Sequence, residues 1–283
     1  MFSELTGEEL YAEMIMQRTN DARNFLVVEG DGDIAVIDRY LAQDRFTVIP
    51  AHGKKTAHEA LALVFADNFS GVYSILDRDW LELIPGDLRD ARIVHTDSYD
   101  LDMSIFLLSD IYVSVASSYC IKGGYRVSQL GCSEEEIRKA CVTMAFPVGV
   151  LRFISERDRL ELRMRDFPLH EVVDRSNLKV DIDLLVSTAI GRSKKASANP
   201  QGVKNALQVE MAGISDEARY CSGHDIARAF SVLIKERWST IMSTDSVERT
   251  ARAAVSWEKL KSLSIYSDSA RWFSGDTRMV WIG

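Results

Sequence analysis

The residues best suited to chemistry in this chain are carboxylates at the ends of apolar runs. Phe25-Leu-Val-Val-Glu-Gly-Asp-Gly-Asp33 carries four apolar residues straight into Glu29, with Asp31 and Asp33 close behind. Gly71-Val-Tyr-Ser-Ile-Leu-Asp-Arg-Asp79 ends the same way, on Asp77 and Asp79. A continuous β-branched run predicts a buried parallel strand, and ligands of open α/β sheets sit just beyond the carboxyl ends of such strands. Carboxylates supply the hard oxygen donors that Mg²⁺ takes, with water and substrate phosphate completing its shell. In phosphodiester chemistry such ions clamp non-bridging oxygens and activate water. One acid beside a turn is commonplace, as a helix cap or a solvated group. Two strand ends that both finish in acids are a more specific signal. Glu29, Asp77 and Asp79 are therefore the candidate ligands, with Asp31 or Asp33 in support, and Gly30 and Gly32 are expected to let the backbone turn sharply there.

Several basic residues and histidines stand at similar places. Lys54 and Lys55 follow a glycine at the end of a third run, Phe46-Thr-Val-Ile-Pro50, and are candidates for holding phosphate or transition-state charge. The alternative for both is a solvated loop. His224 and Asp225 open a helix, where they could orient water or phosphate or serve as a structural cap. His52 and His95 also fall near strand ends, and a lone histidine there is more often structural. Arg192, Lys194, Lys195 and Lys204 lie in or beside the small-residue loop 191–202, the best candidate for sequence-independent contacts to a nucleic-acid backbone.

The elements that must position these groups follow from periodicity. Helices are predicted over residues 3–22, about 34–41, and 57–68, and strands over 25–29, 46–50, 72–76 and 93–95. Strands alternating with helices at this spacing imply βαβ units and a parallel sheet. Beyond residue 110 the pattern becomes helical. Ser133-Glu-Glu-Glu136 is a capping-box start for a helix towards 157, and further helices are predicted over 180–190, 203–212, 226–238 and 247–263. Residues 160–167 look like a strand pair or an edge strand. The expected organisation is a catalytic core over 1–110 and a mainly helical extension over 111–283 for substrate and partner binding, with no internal repeat.

Charge is unevenly spread. The 283 residues carry a net −8, which argues against a simple nucleic-acid coat. Residues 1–110 hold 21 acidic against 9 basic residues, and 111–283 hold 21 against 25. An acidic half suits cations and a mildly basic half suits a polyanion, although two solvated faces would give the same balance. No apolar run reaches the ~20 residues of a membrane helix, the first residues lack a signal-peptide pattern, and the four cysteines show no C-x-x-C spacing. The expectation is a cytoplasmic protein with reduced cysteines.

Val28-Glu-Gly30 and Asp77-Arg-Asp79 resemble the glutamate and D-x-D motifs of the TOPRIM fold, shared by topoisomerases, primases and overcoming-lysogenization-defect nucleases. Together with Pro50-Ala-His-Gly-Lys-Lys55, Thr96-Asp-Ser-Tyr-Asp-Leu-Asp102 and the late Ser222-Gly-His-Asp225, they are similar to a bacterial TOPRIM family formerly of unknown function. The core of the resemblance spans about residues 24–110. Its best-understood role is as nuclease effector of the phage anti-restriction-induced system, held by an ATPase of the ABC type and released to cleave host tRNA. The resemblance implies Mg²⁺ (or Mn²⁺) held by Glu29, Asp77 and Asp79 with support from Asp33, a homodimer when active, and a Rossmann-like parallel sheet. Relatives carry Glu-Asn after the fourth strand where this chain has Asp102-Met103, so Asp102 is expected to be a shorter substitute.

The expected function is thus a Mg²⁺-dependent endonuclease, a toxin of antiviral defence that cuts tRNA, with Glu29, Asp77, Asp79, Lys54, Lys55 and His224 as catalytic candidates. Two rivals stand beside it: a DNA nuclease of the overcoming-lysogenization-defect type, and a non-catalytic subunit that docks an ATPase. The sequence has no G-x-x-x-x-G-K-[ST] loop, so ATP dependence would come from a partner. No zinc-ribbon spacing supports a primase, and no tyrosine can be assigned as a topoisomerase nucleophile.

Overall fold

In the computed structural model, which describes residues 5–84, 89–120, 130–193 and 199–282, the apolar runs of the first hundred residues become four parallel strands. The chain forms two compact units, Met1–Leu101 with Val255–Gly283 and Asp102–Ala254.

The first unit begins with α1 (Gly7–Arg18), started by a Thr6–Glu9 capping box. β1 (Asn24–Val28), α2 (Asp31–Ile37), β2 (Phe46–Pro50), α3 (Lys54–Ala66), β3 (Val72–Leu76) and β4 (Ile93–His95) follow. The sheet runs β2-β1-β3-β4, with Phe25 beside Thr47 on one side and Val72 on the other. Alternate residues face opposite ways along a strand. Phe25, Val27, Ile49, Val72 and Leu76 accordingly form one core with Leu10 and Met14 of α1 and Ala57, Leu61 and Val64 of α3.

The opposite face is covered by the end of the chain. Phe273 packs edge-on to Phe46 and against Tyr73, and Trp272 lies 4.9 Å from the Tyr73 ring. Trp281, 2% exposed, bridges to Leu41 and donates from its indole to Ser269 at 2.7 Å. These contacts return residues 255–283 to the first unit, where an uninterrupted 111–283 extension was expected.

The second unit is helical: α4 (Leu101–Phe106), α5 (Ile111–Cys120), α6 (Glu134–Arg157), α7 (Leu169–Val172), α8 (Ile182–Arg192), α9 (Pro200–Gly213), α10 (Gly223–Trp238) and α11 (Thr244–Ala253), with a two-residue hairpin of β5 (Val173–Asp174) and β6 (Lys179–Val180). The capping box at Ser133 starts α6 as expected. α6 and α10, both rich in buried residues, pack together as the centre of this unit.

Three expectations fail for local reasons. Residues 160–167 form no strand: Arg159, Glu161 and Asp166 all adopt left-handed backbone, and the N–H groups of Leu162 and Arg163 go to the Ser155 and Ser193 hydroxyls. Leu162, Met164 and Phe167 are nevertheless buried, and this alternation imitates a strand. The single helix expected over 247–263 is two, because Ser256 caps a fresh helix, Trp257–Lys261, while Arg39 and Tyr40 both donate to the Val255 carbonyl at 2.9 Å. Val180 belongs to β6, and α8 begins only after Asp181 caps it. The short helices α4 and α5 were not anticipated.

Candidate functional site at the carboxyl edge of the sheet

The strand order places β1 between β2 and β3, so the winding direction reverses between β1 and β3. Such a switch point leaves a crevice at the carboxyl ends of the two strands. Glu29 is the first residue past β1 and Asp77 the first past β3, so both strand-end acids fall at that crevice. The Asp77 N–H donates to Glu29 Oε1 at 3.1 Å.

Neighbouring segments complete the cluster. Asp33 is the third residue of α2, and its Oδ2 accepts the Gly30 N–H at 2.9 Å. Asp31–Asp33 thus form the first turn of α2. Gly30 itself is extended (φ −152°), and the chain bends at Glu29 and Gly30 as it leaves β1 for α2. Asp77 Oδ1 accepts the Leu101 N–H at 3.1 Å. Asp79 takes a left-handed conformation (φ 43°) and donates its N–H to the Tyr99 carbonyl at 2.7 Å.

Lys54 joins them because α3 begins three residues earlier than its apolar periodicity predicts. Gly53, at φ 140°, caps the helix and donates its N–H to the Glu29 carbonyl at 2.9 Å; that φ is open to glycine and strained for other residues. Lys54 is then the first helical residue, and its ammonium lies 2.7 Å from Asp79 Oδ2. Lys55 points elsewhere: its side chain is 90% exposed and pairs loosely with Glu59 one turn on.

The electrostatics are those of crowded like charges. Burial, then the Asp79 and Asp33 carboxylates, push Glu29 up to about 8, against the help of the Asp77 N–H and Lys54. Burial together with Glu29, Asp33, Asp100 and Asp79 raises Asp77 well above the ordinary carboxylate range. Asp100, immediately before α4, is the member that sequence reasoning missed. Its signal was present in Thr96-Asp-Ser-Tyr-Asp-Leu-Asp102, but Asp102 was chosen instead.

An all-oxygen donor set of this charge suits Mg²⁺, and a bound cation would relieve the repulsion that raises Glu29 and Asp77. Among the described residues, no group of three or more His, Cys, Asp or Glu side chains stands in ligating geometry. Glu29, Asp33 and Asp77 accept backbone N–H groups, and Asp79 is paired with Lys54.

The other candidates lie in the second unit. Asp102 is clamped bidentately by Arg252, through Nε at 2.7 Å and through Nη2. Ser222 caps α10 by accepting the Asp225 N–H. Gly223 leaves room for Asp102 and Met103, whose atoms would lie 2.3 and 2.5 Å from an added Cβ. His224 Nδ1 is hydrogen-bonded to Glu248, and its Nε2 is 3.4 Å from Asp166. The Glu248 contact raises the imidazole above its ordinary value against the cost of burial. Asp225 is fully buried and paired with Arg152 at 2.5 Å, with Arg228 3.7 Å away. The Gly-His-Asp element is thus bound into an ion-pair network.

Of the expected nucleic-acid contacts, Lys194 and Lys195 lie outside the described residues. Arg192 donates to the Arg165 carbonyl and lies over the Phe167 ring, and Lys204 pairs with Asp183 at 2.5 Å, so both have partners within the second unit. Cys132, Cys141 and Cys221 form no disulfide among the described residues, and no described helix is long and apolar enough to cross a membrane. No protein-family model and no curated protein matches this sequence.

Proposed function

We propose that the chain is a divalent-cation-dependent endonuclease of the TOPRIM kind, with its reaction centre at the carboxyl ends of β1 and β3. The observation that carries this reading is the crowding of Glu29, Asp33, Asp77, Asp79 and Asp100, which raises Glu29 and Asp77 at the sheet's switch point. Carboxylates forced together by the fold at a cost in stability are characteristic of functional sites.

In this reading Glu29, Asp77 and Asp79 hold Mg²⁺ or Mn²⁺, with Asp33 and Asp100 adding negative field. Bound there, the ion would neutralise phosphate oxygens and supply an activated water. Glu29 would serve either as a ligand of the ion, which would lower its raised proton affinity, or, left out of the ion's shell, as a general base. Its Oε1 accepts the Asp77 N–H, which leaves Oε2 for a proton or an ion. Lys54 holds Asp79 before the ion binds, and on release its ammonium is within reach of a phosphate oxygen or of the charge that develops in the transition state.

The resemblance to the phage anti-restriction-induced effector directs the substrate choice to tRNA and the controlling partner to an ABC-type ATPase. The carboxylates would act on phosphate in either nucleic acid. The test is cleavage by purified protein of separate tRNA, single-stranded DNA and duplex DNA pools with Mg²⁺, Mn²⁺ or EDTA, beside Asp77→Asn. Asparagine keeps an acceptor for the Leu101 N–H, so the variant is expected to fold and to lose cleavage by about 10³-fold. Metal-dependent cleavage confined to DNA selects the overcoming-lysogenization-defect reading. Full cleavage by Asp77→Asn, or none by the wild type with or without a co-purified ATPase, overturns the site.

A further inference from the structure

Asp77, Arg78 and Asp79 leave β3 as a loop outside any helix or strand, and Asp79 takes left-handed backbone at φ 43°. A residue with a side chain holds that conformation only where its surroundings impose it. Three successive N–H groups of the loop meet three different acceptors. Asp77 donates to Glu29 Oε1 at 3.1 Å, Arg78 to the Thr96 hydroxyl at 3.0 Å, and Asp79 to the Tyr99 carbonyl at 2.7 Å.

Two of those acceptors come from residues 96–101, which also give the Leu101 N–H to Asp77 Oδ1. β4 runs parallel to β3 with His95 beside Leu76, so Thr96 is carried to the point where the D-x-D loop begins. Its own N–H continues the ladder by donating to the Leu76 carbonyl at 3.0 Å. The Tyr99 ring packs on Trp80 with 4.7 Å between centroids. Asp97 accepts the Ser264 N–H at 2.9 Å, which ties the segment to the returning end of the chain.

Thr96 is 1% exposed, and its hydroxyl donates to the Ser98 carbonyl at 2.9 Å while it accepts from Arg78. With its one proton spent on Ser98, the hydroxyl has only lone pairs to offer Arg78. We infer that Thr96 is a positioning residue for the reaction centre: its hydroxyl holds the Asp77–Arg78 peptide and so sets the direction of Asp77 and Asp79. The inference rests on the cation-binding reading of these acids proposed for the sheet edge. Groups that orient metal ligands without touching the ion change metal affinity by about 10–100-fold. Valine keeps the shape of Thr96 but would leave the Arg78 N–H and the Ser98 carbonyl without this partner. Serine keeps the hydroxyl and loses a methyl group.

Calorimetric titration of the whole chain with Mn²⁺, in the absence of nucleic acid, tests the inference without reference to cleavage. The wild type is expected to show a site that Asp77→Asn loses. Thr96→Val should weaken that site at least about 10-fold, and Thr96→Ser should stay within about threefold of wild type. Val72→Ala removes core volume from the same strand without touching the loop's hydrogen bonds. It should lower thermal stability and leave Mn²⁺ affinity within about threefold of wild type. Unchanged affinity in Thr96→Val, or an equal loss in Thr96→Ser or Val72→Ala, overturns the inference and leaves the metal site standing. A wild type without a Mn²⁺ site, or a site that survives Asp77→Asn, overturns the metal reading and the inference together. A second measurement needs no variant to fold. In metal-free wild type the Arg78 amide should exchange with solvent at least about 100-fold more slowly than an unstructured amide, and free exchange there overturns the inference.

Discussion

Five carboxylates gather at the sheet edge of the first unit, where Lys54 is bonded to one of them. In the second unit Asp102, Asp166, Asp225 and Glu248 interleave with Arg152, Arg228, Arg252 and His224. The same side-chain types are present in both, and their charge is settled in opposite ways. At the sheet edge, acids raise one another's affinity for protons. Around α10, each acid has a cation close by, and Asp225 is carried into the interior on Arg152. A balanced network gives its energy to the fold. An unbalanced one costs the fold energy, and in the reading proposed above a bound cation would relieve it.

That contrast can be broken most sharply at Asp225. Asp225→Ala removes the buried carboxylate that faces Arg152 and Arg228, and should cost about 3–5 kcal/mol in chemical denaturation. A cost below about 1 kcal/mol would mean that the α10 network is not structural. The sheet edge should behave the other way: removing an acid there costs activity and spares stability.

The two lysines divide the first region more finely. Lys54→Ala should lower cleavage by about 10–100-fold, whereas Lys55→Ala should stay within about twofold of wild type. Equal effects in a tRNA-cleavage assay would remove Lys54 from the site.

Proton linkage sharpens the comparison further. Glu29 titrates at about 8 in the fold against 4.5 for the ordinary group. Between those values the folded chain binds more protons than the unfolded one, so stability falls as pH rises. In metal-free buffer the loss from pH 5 to 8.5 attributable to Glu29 should be up to about 4 kcal/mol. Glu29→Gln should reduce the total loss, leaving the part that comes from Asp77 and His224, and Mg²⁺ should reduce it by favouring the ionised acids. A flat profile in wild type would show that the acids are not crowded. His224 contributes with the same sign for a different reason. Its folded value is raised by Glu248, so its stabilisation is complete below 6.5 and is lost as pH rises through the higher folded value. Its side chain is 39% exposed, and solvent screening makes this the smallest of the effects. Denaturation of His224→Gln across the same pH range isolates it.

Much of the first unit was legible because its signals are local. Apolar-rich runs of four or five residues, two of them passing directly into Glu29 and Asp77, yield β1, β2 and β3 with boundaries close to those observed. Asp77 and Asp79 were found beside Glu29 because parallel strands carry their following residues to the same edge. The second unit was less legible. Buried alternation in 160–167 imitated a strand while hydroxyls took the backbone donors. The break at 254–256 depends on Arg39 and Tyr40, more than two hundred residues earlier in the chain.

By itself the sequence determined which residues follow the strands, since periodicity and β-branching act over a few neighbouring positions. Only the tertiary structure decided how their charge is balanced. Asp100 and Asp102 are two residues apart, yet one adds to the field on Asp77 and the other is neutralised by Arg252. Lys54 and Lys55 are adjacent, yet one meets Asp79 and the other faces solvent. Electrostatic interaction depends on distance and burial in space, and those are set by which elements pack together.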